Sequence, residues 1–478
     1  MSWAAWLLLG SLGGAPHHAP PDTRAWGLVQ GGRPTEPAAP LPRFAPEERV
    51  ESVVSPGGRF RVHYTLQGPN AVKDLEAVHT VARAYDAVAD VYAGLGYRLP
   101  PEDDVLPGEH GEDGRFDVYL LDFAGRADGA YRLQGCLDGE TRCAGYMLQE
   151  NDFAGLAYAS YAQAVDIVAS HEFFHAVQAA YHPGLGGVAA EGSAVWATER
   201  FQPALDDLER FSRAYLTQTD RSLVLDPDGP AQAFAYGAGL FFQYLDERYG
   251  PDVVRALWEQ AARAPGESWP ELLDTVLQRD RRTDFDAAFT GFAQWNLSTG
   301  ARAGPGAYAR GAGYTGLAPP ARELPLDEPN VRVTAASTRY FQVEGGQETV
   351  SVSYTPREDA PAGPPPHLLV AAVTPDAVLR VSRAEGLGVT RVSARDATHV
   401  VVALVDGRLE GTGRYGRLCI TGTATDDPCA RDVAPAAPDD TGCHAAPGAT
   451  GAGVLLGLGA LFRGGRRRRA AQPSTPRA

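Results

Sequence analysis

Ser170-His171-Glu172-Phe173-Phe174-His175-Ala176 and, after a short break, Glu191-Gly192-Ser193-Ala194-Val195-Trp196 decide how this chain of 478 residues is read. Side chains four apart share one face of an α-helix, so His171 and His175 can offer imidazole nitrogens to a single metal ion, with Glu172 beside the first of them. A metal centre that does chemistry keeps one position open and takes three ligands from the protein. Glu191 is the candidate third ligand, with His182 in reserve. The intervening Tyr181-His182-Pro183-Gly184-Leu185-Gly186-Gly187 holds the proline and glycines that end a helix and reverse the chain. A second helix starting near Ala189 would then carry Glu191 back past the histidines.

From Ala162 to Tyr181 the residues are apolar on nearly all sides, among them Val165, Ile167, Val168, Phe173, Phe174 and Val177, which predicts a buried helix rather than an amphipathic one. Buried imidazoles and carboxylates need partners. A divalent cation supplies one, and two histidines with a carboxylate suit Zn2+. Zinc lowers the pKa of a water it holds towards about 7, and a carboxylate placed like Glu172 can accept the proton.

H-E-x-x-H followed by a glutamate in an E-G-x-A-x-W setting resembles the gluzincin zinc metallopeptidases, whose third zinc ligand is a glutamate on the next helix. That resemblance implies Zn2+ held by His171, His175 and Glu191, Glu172 as general base, and a protein or peptide as substrate. Tyr236-Gly237-Ala238-Gly239 looks like the Y-x-x-G stretch of the zinc aminopeptidases, where the tyrosine steadies an oxyanion. Tyr236 reads equally as a core tyrosine opening a helix before Leu240, Phe241, Tyr244 and Leu245. The spacing from His175 to Glu191 is shorter than in the aminopeptidases, and Gly145–Asn151 matches their G-x-M-E-N strand only loosely. An endopeptidase is therefore expected, with 145–151 as an edge strand able to pair with an extended substrate.

Asp439-Asp440-Thr441-Gly442-Cys443, an apolar run from Ala445 to Phe462 and then Arg466-Arg467-Arg468-Arg469 resemble the MYXO-CTERM sorting tail of exported myxobacterial proteins. The resemblance implies processing near the Gly-Cys pair, contact with the sorting machinery and residence at the cell surface. An apolar run of about 18 residues just suffices to cross a bilayer, and the arginines after it would stay cytoplasmic. At the other end, Met1–Gly10 has the apolar core of a signal segment without basic residues before it.

A formal net charge of -16 argues against nucleic acid as a partner, because a polyanion would repel the chain. Five cysteines fall into two close pairs, Cys136 with Cys143 and Cys419 with Cys429, plus Cys443. They read as two small disulfide loops of an exported protein or as buried thiols.

The expected organisation is α+β. A signal-like segment (1–20) and a linker or propeptide (21–55) precede a gluzincin-like catalytic domain (56–303) with strands at Phe60–Leu66, Asp117–Leu121 and 145–151. A helix spans 75–92, and further helices lie near 204–216, 236–249, 251–263, 269–279 and 284–296. Gly304 to Ala321, rich in glycine and proline, suggests a hinge within a linker (304–330). Alternation from Arg332 to Ile420 predicts an all-β sandwich (331–430), followed by the linker and transmembrane sorting tail (431–478). The acidic stretch with Glu102, Asp103, Asp104, Glu109, Glu112 and Asp113 reads as a solvated loop. A rival reading from another class is a surface adhesion protein in which the sandwich binds and the metal core is only structural.

Overall fold

The computed structural model describes residues 41–106, 109–137, 141–225, 233–360, 363–384 and 388–430. The signal-like segment and the sorting tail with Cys443 lie outside the described residues. No helix among those described is long and apolar enough to cross a membrane.

The chain opens with β1 (Val50–Val54), β2 (Phe60–Thr65), the helix α1 (Leu75–Gly94), β3 (Phe116–Leu121), β4 (Gly129–Leu137) and β5 (Arg142–Glu150). The strands form one sheet in the order β1-β2-β3-β5-β4, parallel at its centre, with β1 and β4 antiparallel at the two edges. Both faces are covered, which is why β3 reads Phe-Asp-Val-Tyr-Leu-Leu without a solvent-facing position. Phe116, Val118 and Leu120 join the main core, and Tyr119 and Leu121 join Tyr146, Leu148 and the chain at Leu41 and Phe44 on the reverse face. The acidic loop is not solvated throughout, since Asp103 is buried.

Two expectations are corrected here. The 145–151 strand is not at the edge: β5 lies between β3 and β4, and the free edge belongs to β4. Val50–Val54, expected within the linker or propeptide, pairs residue for residue with Arg61–Thr65 and is part of the sheet.

Next come the paired helices α2 (Tyr161–Ala179) and α3 (Gly187–Phe201), then α4 (Asp207–Leu216), α5 (Ala233–Gly237), α6 (Gly239–Tyr249), α7 (Asp252–Arg263), α8 (Trp269–Arg281) and α9 (Phe285–Asn296). Ser160 caps α2 by accepting from the Gln163 amide, and Ser268 with Glu271 forms a reciprocal capping box on α8. These elements match the helical spacing read from the sequence, except that the helix expected over 236–249 is interrupted at Ala238.

The C-terminal part has β6 (Ala321–Arg322), β7 (Leu326–Val333), β8 (Ser337–Glu344), β9 (Thr349–Pro356), β10 (His367–Val373), β11 (Val378–Ala384), β12 (Thr390–Ser393), β13 (His399–Asp406) and β14 (Arg414–Thr421). They make two sheets, β11-β10-β13-β8-β6 and β12-β9-β14-β7, enclosing a core of Val343, Val352, Leu368, Val402 and Leu418 among others. The five-stranded sheet is buried on its outer face as well, where Tyr340, Leu369, Ala371, Val373, Val401, Ala403 and Val405 enter the core of the helical region. Two-sided burial explains the unbroken apolar runs Leu368–Val373 and Val400–Val405.

Hydrogen bonds join the same two parts. Tyr340 Oη donates to Ala293 O (2.6 Å), Ser222 Oγ to Ala335 O (2.6 Å) and the Thr338 amide to Thr219 O (2.7 Å). Gly304–Ala321 is accordingly no hinge: Tyr308, Tyr314 and Leu317 are buried in the helical core, and Tyr308 Oη donates to Asn296 Oδ1 at 2.9 Å. The described residues, from 41 to Ala430, belong to one compact unit.

Both cysteine pairs are disulfides. Cys136 and Cys143 are cross-strand neighbours that tie β4 to β5, and Cys419 in β14 is bonded to Cys429. Such bonds belong to an oxidising, extracytoplasmic compartment.

Candidate metal centre

Helix α2 sorts its residues by face. Phe173 packs on Phe60 (5.1 Å between ring centroids) and Phe116 (5.3 Å), and Phe174 on Tyr92 (5.2 Å) and Tyr97 (5.3 Å). The helical period then aims His171, Glu172 and His175 the other way. Gly186, at φ 91°, turns the chain from α2 into α3 in a backbone region that favours glycine. Trp196 anchors α3, its indole N–H donating to Asp246 Oδ2 of α6 at 3.0 Å. At Gly192 a β-carbon would stand 2.9 Å from Phe242 Cε2 and 3.1 Å from Ala238 C, so α3 and α6 approach more closely than any larger residue allows.

This packing brings Glu191 to the histidines. Its Oε2 lies 3.1 Å from His171 Nε2 and 3.5 Å from His175 Nε2, and one ligand atom from each of the three buried or half-buried residues lies within 4.8 Å of the others. Tetrahedral zinc with bonds of 2.0–2.2 Å sets neighbouring donors about 3.3–3.5 Å apart. The two separations from the carboxylate to the imidazoles lie near that edge. His171, His175 and Glu191 thus form a buried group that could hold a metal ion.

The three groups shift one another's proton affinity. Burial alone would push the Glu191 carboxyl up, but the two imidazoles outweigh it and hold it at about 2. Burial opposes charge on His175 too, and Glu191 with Glu172 raises it to about 9. Glu172 behaves differently: burial raises its carboxyl against the pull of both imidazoles. Its Oε2 accepts the amide N–H of Tyr131 at 3.1 Å. Gly129 permits that approach, because a β-carbon there would stand 2.6 Å from Val168 Cγ1 and 3.0 Å from Glu172 Cγ.

Tyr236 lies on the opposite flank. Its ring stacks on His171 at 5.5 Å and on Phe211 at 4.9 Å, and its phenol interacts with Glu191. The structure therefore brings together all five residues singled out from the sequence. His182 is not a ligand: its Nε2 faces Pro265 O at 3.2 Å and its Nδ1 accepts from the Gly184 amide at 3.1 Å.

Three neighbours escaped the sequence reading. Gln178 Oε1 accepts from His175 Nδ1 (2.9 Å), while its Nε2 donates to Ala190 O (2.9 Å) and Ser193 Oγ (3.1 Å), so one amide orients His175 and ties α2 to α3. Its signal was its place one helical turn after His175. Asp207, buried at the start of α4, feels His171, and burial lifts its carboxyl to about 6. Tyr131 reaches Glu172 through its backbone, and a backbone contact leaves no mark in residue type. Beside these groups opens a cleft of about 710 Å³, counting the solvent at its mouth, bordered by β4, α2, α3 and Trp258 of α7.

No family profile fits the sequence, and no curated relative is found.

Proposed function

We propose that the protein is an exported zinc-dependent peptidase of gluzincin type, acting as an endopeptidase. The observation that carries this reading is the buried His171-His175-Glu191 group, with ligand atoms within 4.8 Å of one another and Glu172 held beside it at the mouth of an open cleft. Zinc, when bound, supplies a Lewis acid and a water of lowered pKa. Glu172 accepts a proton and returns it to the leaving amine, its base strength favoured by burial. Tyr236, stacked on His171, offers a phenolic donor to the charge that develops on the carbonyl oxygen.

Substrate binding follows from the sheet edge. The Tyr131 N–H points at Glu172 and so away from β5, and in an antiparallel strand a residue's C=O faces the same side as its N–H. An extended peptide can therefore add to the free edge of β4 and present its carbonyl to the metal group. The two disulfides support action outside the cytoplasm, and the tail beginning near Asp439 supports attachment at the cell surface.

The test is digestion of a broad peptide library by the zinc-loaded protein, with and without a chelator, alongside Glu172→Gln. Cleavage should need zinc and fall by at least about a hundredfold in Glu172→Gln while zinc content is unchanged. Full activity in that variant, or after zinc removal, overturns the proposal.

A further inference from the structure

We infer that Arg310 is a positioning residue for Tyr236: it clasps α4 to the end of α3 through Glu199 and Glu209, and α4 sets the tyrosine ring against His171. The consequence for turnover rests on the peptidase reading above, whereas the placement of the ring does not. Arg310 lies 101 residues beyond Glu209, in the segment that leads from the helices to the sandwich. Its Nε donates to Glu209 Oε1 of α4 at 2.6 Å and lies 3.3 Å from Glu199 Oε1 of α3, and its guanidinium also pairs with Asp206. An ion pair in open solvent would contribute little, but the Glu199 and Glu209 side chains are only 4% and 11% exposed. Their second oxygens, Glu199 Oε2 and Glu209 Oε2, are buried without a hydrogen-bond partner among the described residues. Burial lifts the Glu199 carboxyl to about 8, Glu209 adds to this, and Arg310 opposes it. Removing the guanidinium therefore leaves two buried carboxyl groups facing each other with nothing to tie them.

The helix held in this way is the bed on which Tyr236 lies. Phe211 of α4 stacks on the Tyr236 ring, 4.9 Å between centroids and 24° from parallel, and the same ring lies 5.5 Å from that of His171, 20° from parallel. A β-carbon at Gly237 would stand 2.7 Å from Tyr215 N and 2.9 Å from Phe211 O, so α5 rests directly on the α4 backbone and a shift of α4 carries Tyr236 with it. The segment around Arg310 grips α4 at two more points. Gly313 packs on the Glu209 side chain, where a β-carbon would stand 3.1 Å from Cγ, and the Thr315 amide donates to Ser212 Oγ at 3.1 Å. Since α3 also carries Glu191, the clasp fixes the Tyr236 platform relative to the helix that supplies part of the metal group.

Fluorotyrosine placed at position 236 of the full chain and read by fluorine NMR in the metal-free protein tests the placement. Arg310→Met should shift and broaden that signal, while a fluorotyrosine at Tyr354, in the sandwich core, should stay where it is. Adding Glu209→Gln, whose amide can donate to the Glu199 carboxylate in place of the guanidinium, should bring the signal part of the way back. If Arg310→Met fails to fold, Arg310→Lys carries the test with a smaller shift in the same direction, because an ammonium keeps the charge but lacks the fork that spans two carboxylates. An unmoved signal at position 236, or an equal movement at Tyr354, overturns the inference. In the zinc-loaded protein acting on a cleaved peptide, Arg310→Met should lower kcat about tenfold to a hundredfold with KM within about twofold, and should cost nothing further in a Tyr236→Phe background. Losses that multiply in the double variant also overturn it. Absence of cleavage by the unaltered zinc-loaded protein overturns the peptidase reading instead, and the fluorine signal still decides the placement.

Discussion

Gln178→Ala isolates how the metal group is held together. The substitution removes the acceptor of His175 Nδ1–H and the donor to Ala190 O and Ser193 Oγ. Each buried hydrogen bond is worth about 1 kcal/mol net, so the metal-free protein should lose roughly 2–3 kcal/mol of stability. Loss of a hydrogen bond that orients a ligand should weaken zinc binding about 10–100-fold. Gln178→Glu separates the two effects. A carboxylate still accepts from His175 but cannot donate to the α3 carbonyl, so zinc affinity should stay near wild type while stability falls as far as in Gln178→Ala, or further. Competition titration with a chromophoric zinc chelator gives the affinity, and denaturant melts of the metal-free protein give the stability. Zinc affinity of Gln178→Ala within about twofold of wild type would refute the reasoning, because His175 would then be oriented without the amide.

Two further outcomes are expected. Burial pushes the Glu150 carboxyl from near 4.5 to about 8, and its Oε2 accepts the Phe123 amide at 2.8 Å. A carboxyl raised on folding contributes stability that is full below its unfolded pKa and is lost as pH rises through the folded one. Wild type should therefore lose stability relative to Glu150→Gln between about pH 4.5 and 8, with the widest gap above pH 8; a gap that narrows with rising pH, followed by thermal melts, contradicts this. Secondly, the sandwich and the helical region share one core, so calorimetry on residues 41–430 should give a single transition, and a chain ending at 320 should not fold. Two well-separated transitions would show that the parts are independent.

Much of this architecture is written in periodic residues. Val78, Val81, Tyr85, Val88 and Tyr92 mark α1, and the short alternating runs after Arg332 mark the sandwich strands, because burial on one side imposes a repeat. The proximity of His171, His175 and Glu191 was legible because metal ligation asks for such residue types at set spacing, while Tyr236 was picked out by its resemblance to the Y-x-x-G stretch. Gly129–Leu137 was not: Gly-Ala-Tyr-Arg-Leu-Gln-Gly-Cys-Leu has no clean alternation, since the strand is an edge shaped by close approach to α2 rather than by a buried face. Displacing the edge to 145–151 followed from that. The glycines and prolines of 304–321 concealed Tyr308 and Tyr314, whose burial depends on partners far along the chain. Long-range packing of this kind has no local signature, and neither does the backbone contact from Tyr131 to Glu172.

The shared sheet also sets an order of assembly. Until Val405 has been made, the helices stacked behind the metal residues keep an apolar flank uncovered, since Tyr340, Leu369, Ala371, Val373, Val401 and Ala403 must arrive to close it. Synthesis from the N-terminus delivers the histidines long before these strands. A chain stopped before those strands keeps apolar surface open to water, the kind of surface that makes folding intermediates prone to aggregate.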